Sequence, residues 1–346
     1  MKQRLLYLLV AGGGALAPLV ALDYIIQFSL LWMMIIFALT WDIAGGQMGY
    51  NSFGNILFFG VGCYAVVVIQ RELFFDFNEY RNVTDLTPLS AVEYFWSFAI
   101  GSVVGAVLSV ALAVLLGSGI LGLRGHYFAI CTLGLGVAAA EIASGWEFIG
   151  AGSGMVAPMF PGSPDGRGLF FYYLFFVLAV ICFLSLRWLY STRFGLALNA
   201  IRDDEDKAEA MGIHTTRYKT SAWCIAALFL SIAGAGFGQL NNFIDREVAF
   251  PGPTFGVWMV LMAILGGKGT LWGPVIGAVI FHVTQEVFWT YLFGWQRVAM
   301  GAFIVLIVVF FPQGIIGWLR NCWPERFGVR VDDDARSAQV SLRNEV

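Results

Sequence analysis

The sequence predicts an all-α fold, a polytopic membrane bundle of about ten transmembrane helices forming one domain over residues 1–346. Three observations predict it. The chain is 59% hydrophobic with a mean hydropathy of +0.76. Only 12% of its residues are charged, about half the share of a soluble globular domain. Apolar runs of about 20 residues, the length that crosses a hydrocarbon core of about 30 Å, recur along the whole chain.

Ten such runs can be marked, at roughly 5–22, 25–41, 53–70, 95–116, 126–148, 169–190, 220–240, 254–267, 271–291 and 298–318. The first has the basic start of a secretory signal, and Ala15-Leu16-Ala17 imitates a cleavage site. Pro18 directly after it argues against cleavage, so the run reads as a retained first helix. The second run ends before Asp42, which opens "DIAGGQMGYNSFGN", polar and glycine-rich where a helix should be entering the bilayer. The eighth run is short, and spanning and re-entrant forms both fit it. Gly101 and Gly105, Gly234 and Gly238, and Gly273 and Gly277 each have the small-xxx-small spacing that lets helix backbones approach closely.

Lys and Arg concentrate in cytoplasmic segments. With Lys2 and Arg4 inside, ten crossings place the 191–219 loop, with Arg193, Arg202, Lys207, Arg217 and Lys219, on the same side as the 320–346 tail. Both termini are then cytoplasmic. Ten helices also divide into five plus five, the arrangement of inverted-repeat transporters. The similar runs "GGQMGYNSFG" and "GGKGTLWG" argue little for it, because the helices that follow them run in the same direction in this topology.

Several functions are excluded by what the chain lacks. Without clustered Lys and Arg it has no electrostatic footprint for nucleic acid. The five Cys show no metal-ligand spacing and read as small packing residues. No Gly-x-Ser-x-Gly elbow, His-Glu-x-x-His pair or phosphate-cradling glycine loop occurs, so no catalytic residue, metal or bound cofactor is expected. Any ATP hydrolysis belongs to another chain.

Ionisable groups inside apolar runs are expensive, which makes Asp42, Glu141, His282 and Glu286 candidates for function. His282 and Glu286 lie four apart on one helix face; their place near a helix end leaves a functional role and simple hydration both open. Gln47, Asn51 and Asn55 belong either to a broken, cavity-lining segment or to an interfacial loop. Tyr127, Thr132 and Glu141 on the fifth run complete the polar groups available to a path through the bundle.

The 27 residues from Arg193 to Lys219 carry ten charges. Asp203 to Asp206 precede "KAEAMGI", so carboxylates stand at a helix N-terminus, where capping and the helix dipole favour them. A short helix with a tip of Ala208, Ala210 and Gly212 would project from the membrane in a loop longer than two neighbouring helices need. Such a loop is shaped for a partner.

These residues carry a resemblance. "AIRDDEDKAEAMGIHTTRYK" resembles the cytoplasmic coupling loop of the LivM-type permease subunits of ABC importers for branched-chain amino acids. "GLRGHYFAICTLGLG", "LGGKGTLWGPVIGAVIF" and "VVFFPQGIIGWL" are similar to three further segments of that family, in the same order. The similarity runs from about Thr40 to Leu319.

The resemblance implies a non-enzymatic transport subunit of a bacterial inner membrane. Its implied partners are a periplasmic substrate-binding protein, a second homologous permease and two cytoplasmic ATPases that hold the ATP and Mg. Arg202, Asp203, Asp204, Lys207, Ala208, Glu209, Ala210, Met211, Gly212 and Ile213 are the implied ATPase-coupling residues. The implied cargo is a branched-chain or related amino acid, with urea, short amides and aromatic acids carried by similar importers. Departures from the family pattern at "GGQMGYNSFGN" and "GAGSGM" leave that choice open. A stand-alone ion-coupled carrier or channel, working through Glu141, His282 and Glu286, is the reading of another class, and it has no need of the 191–219 loop.

Overall fold

The computed structural model describes residues 12–18, 22–74, 90–292, 294–310 and 314–322. The first expected span, much of the 71–94 loop and the 320–346 tail lie partly outside these residues. The chain is an all-α polytopic bundle with one two-residue antiparallel ladder, β1 (Met155–Val156) against β2 (Phe243–Ile244).

Seven helical runs among the described residues are long and apolar enough to cross a membrane, and they correspond to the second to eighth expected spans. Their helices are α1 (Ile25–Asp42), α2 (Ile56–Phe74), α3 (Ala91–Ile120), α4 (His126–Gly145), α5 (Pro164–Tyr190) and α8 (Thr215–Asn241), and the seventh run combines α9 (Arg246–Ala249) with α10 (Val257–Gly266). Where the ninth and tenth spans were expected stand α11 (Gly273–Tyr291) and α12 (Gln296–Phe310), with α13 (Gly314–Cys322) after it, and none of these is among the seven.

Local chemistry starts several of these helices. Ser90 caps α3 in a reciprocal box: its Oγ accepts from the Glu93 amide at 3.3 Å while its own amide donates to Glu93 at 3.1 Å. Ser163 caps α5, with Pro164 in the first turn, where a missing amide proton costs nothing. The eighth span is interrupted, because α9 ends at Ala249 and a five-residue π-turn (Gly252–Gly256) precedes α10. A second π-turn (Ile43–Gln47) closes α1.

The helices α2 and α8 form the centre, with 67% and 72% of their apolar windows buried, whereas α4 is buried over only 22% and lies at the periphery. Close backbone approach makes that centre possible. A methyl group on Gly234 would meet the Phe59 carbonyl, and one on Gly277 would meet the Met262 carbonyl. Burial of aromatic rings fills what the glycines leave, as in the edge-to-face pairs Phe58–Trp223 and Phe37–Phe59, about 5 Å between centroids.

Candidate functional site

The 191–219 segment, expected as a loop holding one short helix with Ala208 at its tip, holds two helices before α8 begins at Thr215, and Ala208 is buried. In α6 (Arg193–Asp203), Gly195, Leu198 and Ile201 recur every third residue and are buried, so the helix lies with one face on the bundle. The shorter α7 (Glu205–Ala210) begins at Asp204, whose Oδ1 accepts from the Lys207 amide at 3.0 Å. It ends in a Schellman arrangement: the Ile213 amide donates to the Ala208 carbonyl at 3.0 Å and the Gly212 amide to Glu209 at 2.9 Å, with Gly212 at φ +87. A glycine is needed there because side chains disfavour that backbone conformation.

Beyond this fixed base the tip is open, with Met211 84% exposed and Ala210 and Gly212 exposed beside it. Lys207 and Asp204 pair on the surface at 2.9 Å, and Arg202 pairs with Asp203 at 3.1 Å. Ala208 and Ile213 face inward, whereas Glu209 is exposed.

Glu205 anchors α7 to three elements at once. Its Oε1 accepts from Lys219 Nζ at 2.7 Å, its Oε2 accepts from the Tyr50 hydroxyl, and Arg124 lies at 3.6 Å while reaching Asp206 at 2.8 Å. Lys219 is 1% exposed and satisfies its other protons on the Leu121 carbonyl at 2.6 Å and Tyr50 Oη at 3.2 Å. Its ammonium also sits 4.5 Å from the centroid of the Tyr50 ring. Partial burial pushes the Glu205 carboxyl up, but the hydrogen bonds from Lys219 and Tyr50 and the nearby positive charges outweigh it and hold the group below the usual glutamate range.

The glycine-rich run from Gly45 to Asn55 lies under α6. Asp42 Oδ1 accepts from the Gly269 amide at 2.7 Å, and Gln47 donates to the Gly269 carbonyl at 2.9 Å, so the end of α1 is bound to the turn between α10 and α11. A side chain on Gly46 would collide with Asp42 and the Gly269 amide. Gly49, at φ +80, packs beneath Arg202.

The six path candidates separate by burial. Gln47 is buried in the joint just described. Asn55 is buried, receives Trp223 Nε1 at 3.1 Å and Ser52 Oγ at 2.8 Å on its Oδ1, and leaves its Nδ2 without a partner among the described residues. Thr132 is buried and accepts from the Phe53 amide at 3.2 Å. Asn51 is exposed, Tyr127 is 76% exposed on the peripheral α4, and Glu141 is an exposed group paired with Arg246 at 2.9 Å. Among the described residues no group of His, Cys, Asp and Glu is placed to hold a metal ion.

With this geometry in view, the comparisons with known proteins decide the family. The family described as "Branched-chain amino acid transport system / permease component" matches residues 20–311. The chain belongs to this family. It is 24% identical to the high-affinity branched-chain amino acid transport system permease protein LivM of Salmonella typhimurium, over 90% of this chain and 80% of that protein. It is also 24% identical to the probable LivM of Methanocaldococcus jannaschii, over 84% of this chain and 93% of that one. A shorter match, 30% over 127 residues, joins 36% of this permease to 40% of the Salmonella typhimurium LivH permease protein. No solved structure matches the chain. The permease is thus a multi-pass membrane protein of amino acid transport.

Proposed function

We propose that this permease is the membrane subunit of an ATP-driven importer that moves branched-chain or related amino acids inward by alternating access. The observation that carries the reading is the α6–α7 segment, a helical unit locked to α8, Tyr50 and Arg124 at its base, with a small, open tip at Ala210 to Gly212. A rigid base with an unfilled tip suits a segment that a partner pushes. In this reading two cytoplasmic ATPases supply ATP and Mg, a second homologous permease completes the path, and a periplasmic binding protein delivers the solute. The chain then crosses the inner membrane ten times with both termini in the cytoplasm, and the five-plus-five division belongs to the same proposal.

Force on α7 would pass through Glu205 and Lys219 into α8, and through Arg202 and Gly49 into the end of α1. Asn51, exposed at that end, is the path candidate best placed to meet a solute there.

Ala210→Arg tests the coupling. A bulky cation at the tip would be buried without a partner against an ATPase, at a cost of several kcal/mol. Uptake should be lost while the permease stays in the membrane and its melting midpoint holds. Uptake at the wild-type rate, with the ATPase bound at normal stoichiometry, would remove the coupling role.

A further inference from the structure

From Met33 to Gln47 every residue of α1 and of the π-turn that closes it is buried. A helix at the wall of a bundle keeps one face outward, so this stretch is enclosed by protein on all sides. Its two ends meet different surroundings. Away from α6 and α7, a cavity of about 940 Å³ opens between the starts of α1 and α5, the end of α8 and the later part of α11, with His282 and Glu286 in its wall. It follows α1 from Leu22 as far as Met34. At the α6–α7 end the enclosed stretch stops against the turn at 267–272 between α10 and α11.

That contact takes both backbone polar groups of one residue. Asp42 Oδ1 accepts from the Gly269 amide at 2.7 Å, a charge-assisted bond, and Gln47 Nε2 donates to the Gly269 carbonyl at 2.9 Å. The turn is held from its other side as well, since a methyl group on Gly314 would run into the Gly267 backbone. Arg202 of α6 touches both partners: its side chain covers Gly49, and its Nη1 lies 3.6 Å from where a methyl on Gly269 would stand. The contact differs from the Glu205–Lys219 pair in what parting it leaves behind. Asp42 is 1% exposed, and opening would give its carboxylate to water, which favours the charged form. No oppositely charged group is stranded in the process.

We propose that Asp42 and Gln47 are positioning residues of a gate. Bonded to Gly269, they shut the α6–α7 end of the permease while the cavity at the far end stands open. Movement of α6, carried by Arg202, frees Gly269 and opens the near end. The proposal rests on the import reading and adds to it the place where the path is barred on the cytoplasmic side.

The test uses the full chain in lipid nanodiscs and limited trypsin digestion. Lys268 is exposed, and the Lys268–Gly269 bond that trypsin cuts is the one whose amide Asp42 holds. Cleavage there requires the turn to come away from its neighbours. Asp42→Ala should speed cleavage after Lys268 by about tenfold or more, and Gln47→Ala by roughly threefold. Cleavage after Lys207 should stay at the wild-type rate in both. Asp42→Asn keeps the acceptor oxygen and should remain within about threefold of wild type. A gate also links the two ends, which a static joint does not. In a cysteine-free background, Asp42→Ala should therefore raise maleimide labelling of Thr40→Cys and lower that of Leu30→Cys in the cavity wall, and Gln47→Ala should give the same signs at smaller size. Wild-type cleavage after Lys268 in both alanine variants, or labelling that rises at Thr40→Cys without falling at Leu30→Cys, would overturn the gate. Ala210→Arg separates the two readings, because it alters the tip and should leave cleavage after Lys268 unchanged. Normal uptake by that variant removes the importer reading, whereas the gate falls only on the digestion and labelling results.

Discussion

The two ends of the bundle differ in how they hold buried ionisable groups. At the α6–α7 end the buried charges of the joint are paired, Lys219 with Glu205, Tyr50 and Leu121, and Asp42, beside Gln47, with Gly269, although Asn55 Nδ2, Asn199 Oδ1 and Tyr190 Oη are buried without a partner among the described residues. At the far end the buried His282 Nδ1 has no hydrogen-bond partner among the described residues. A satisfied network in a low-dielectric setting fixes a geometry, and losing one member leaves the others stranded. An unpartnered group does the reverse, because its loss strands nothing. The paired charges of the α6–α7 end are therefore what fixes position there.

The sharpest way to break the contrast is Glu205→Ala. It leaves Lys219 buried without its carboxylate, a loss of about 3 kcal/mol at the low end for a broken buried pair. That corresponds to roughly a hundredfold in local opening, read as faster tryptic cleavage at the exposed Arg202 and Lys207 of the purified permease. Cleavage at the wild-type rate would mean that the pair does not hold the joint. Glu205→Leu combined with Lys219→Met should recover much of the loss, since apolar replacement of both partners strands no charge.

A smaller effect follows from titration. The Glu205 carboxyl is held below its ordinary value of 4.5, so its stabilisation is fully present above that pH and is lost as pH falls through the folded value. At pH 7 wild type should exceed Glu205→Gln by on the order of 1 kcal/mol, and the gap in melting midpoint should close in more acid solution, below about pH 4.5. A gap that stays constant down to pH 3.5 would contradict this account.

The smallest effect sharpens the comparison from the other side. His282→Phe removes a buried group with an unmet bond, and should shift stability by no more than about 0.5 kcal/mol, in either direction. A loss of stability of about 2 kcal/mol or more would show that His282 is held as tightly as the groups of the near end.

What the sequence makes legible here is local. Asp204 as the cap of α7, the glycine closing it and the second to eighth apolar spans all depend on neighbours within a few positions, and they stand where spacing and composition place them. The partners of those elements do not. Tyr50 and Glu205 are separated by 155 positions, and Gln47 and Gly269 by 222, so no periodicity could link them. Glu141, singled out because ionisable groups in apolar runs are costly, lies on a peripheral helix whose exposure was not readable from its apolar content, with Arg246 105 positions away beside it. His282 and Glu286 could be noticed as a pair, but their cavity is formed by the ends of helices scattered from Leu22 to Glu286, and only the packed chain reveals it. The amphipathic α6 was the one missed element with a local signal, since its buried residues recur every third position.

The two π-turns, at Ile43–Gln47 and Gly252–Gly256, carry a consequence for length as opposed to side-chain identity. Each wider turn holds one residue more than an α-turn would. Deleting one residue from either would leave a smoother helix, yet would rotate everything beyond it by about 100°. At the first, Gly46 and Gln47 would swing away from Gly269; at the second, Phe255 would leave the rings of Phe237 and Trp258. Ends that differ so much in chemistry thus share a mechanical device, a single inserted residue that sets the angle at which their groups are aimed.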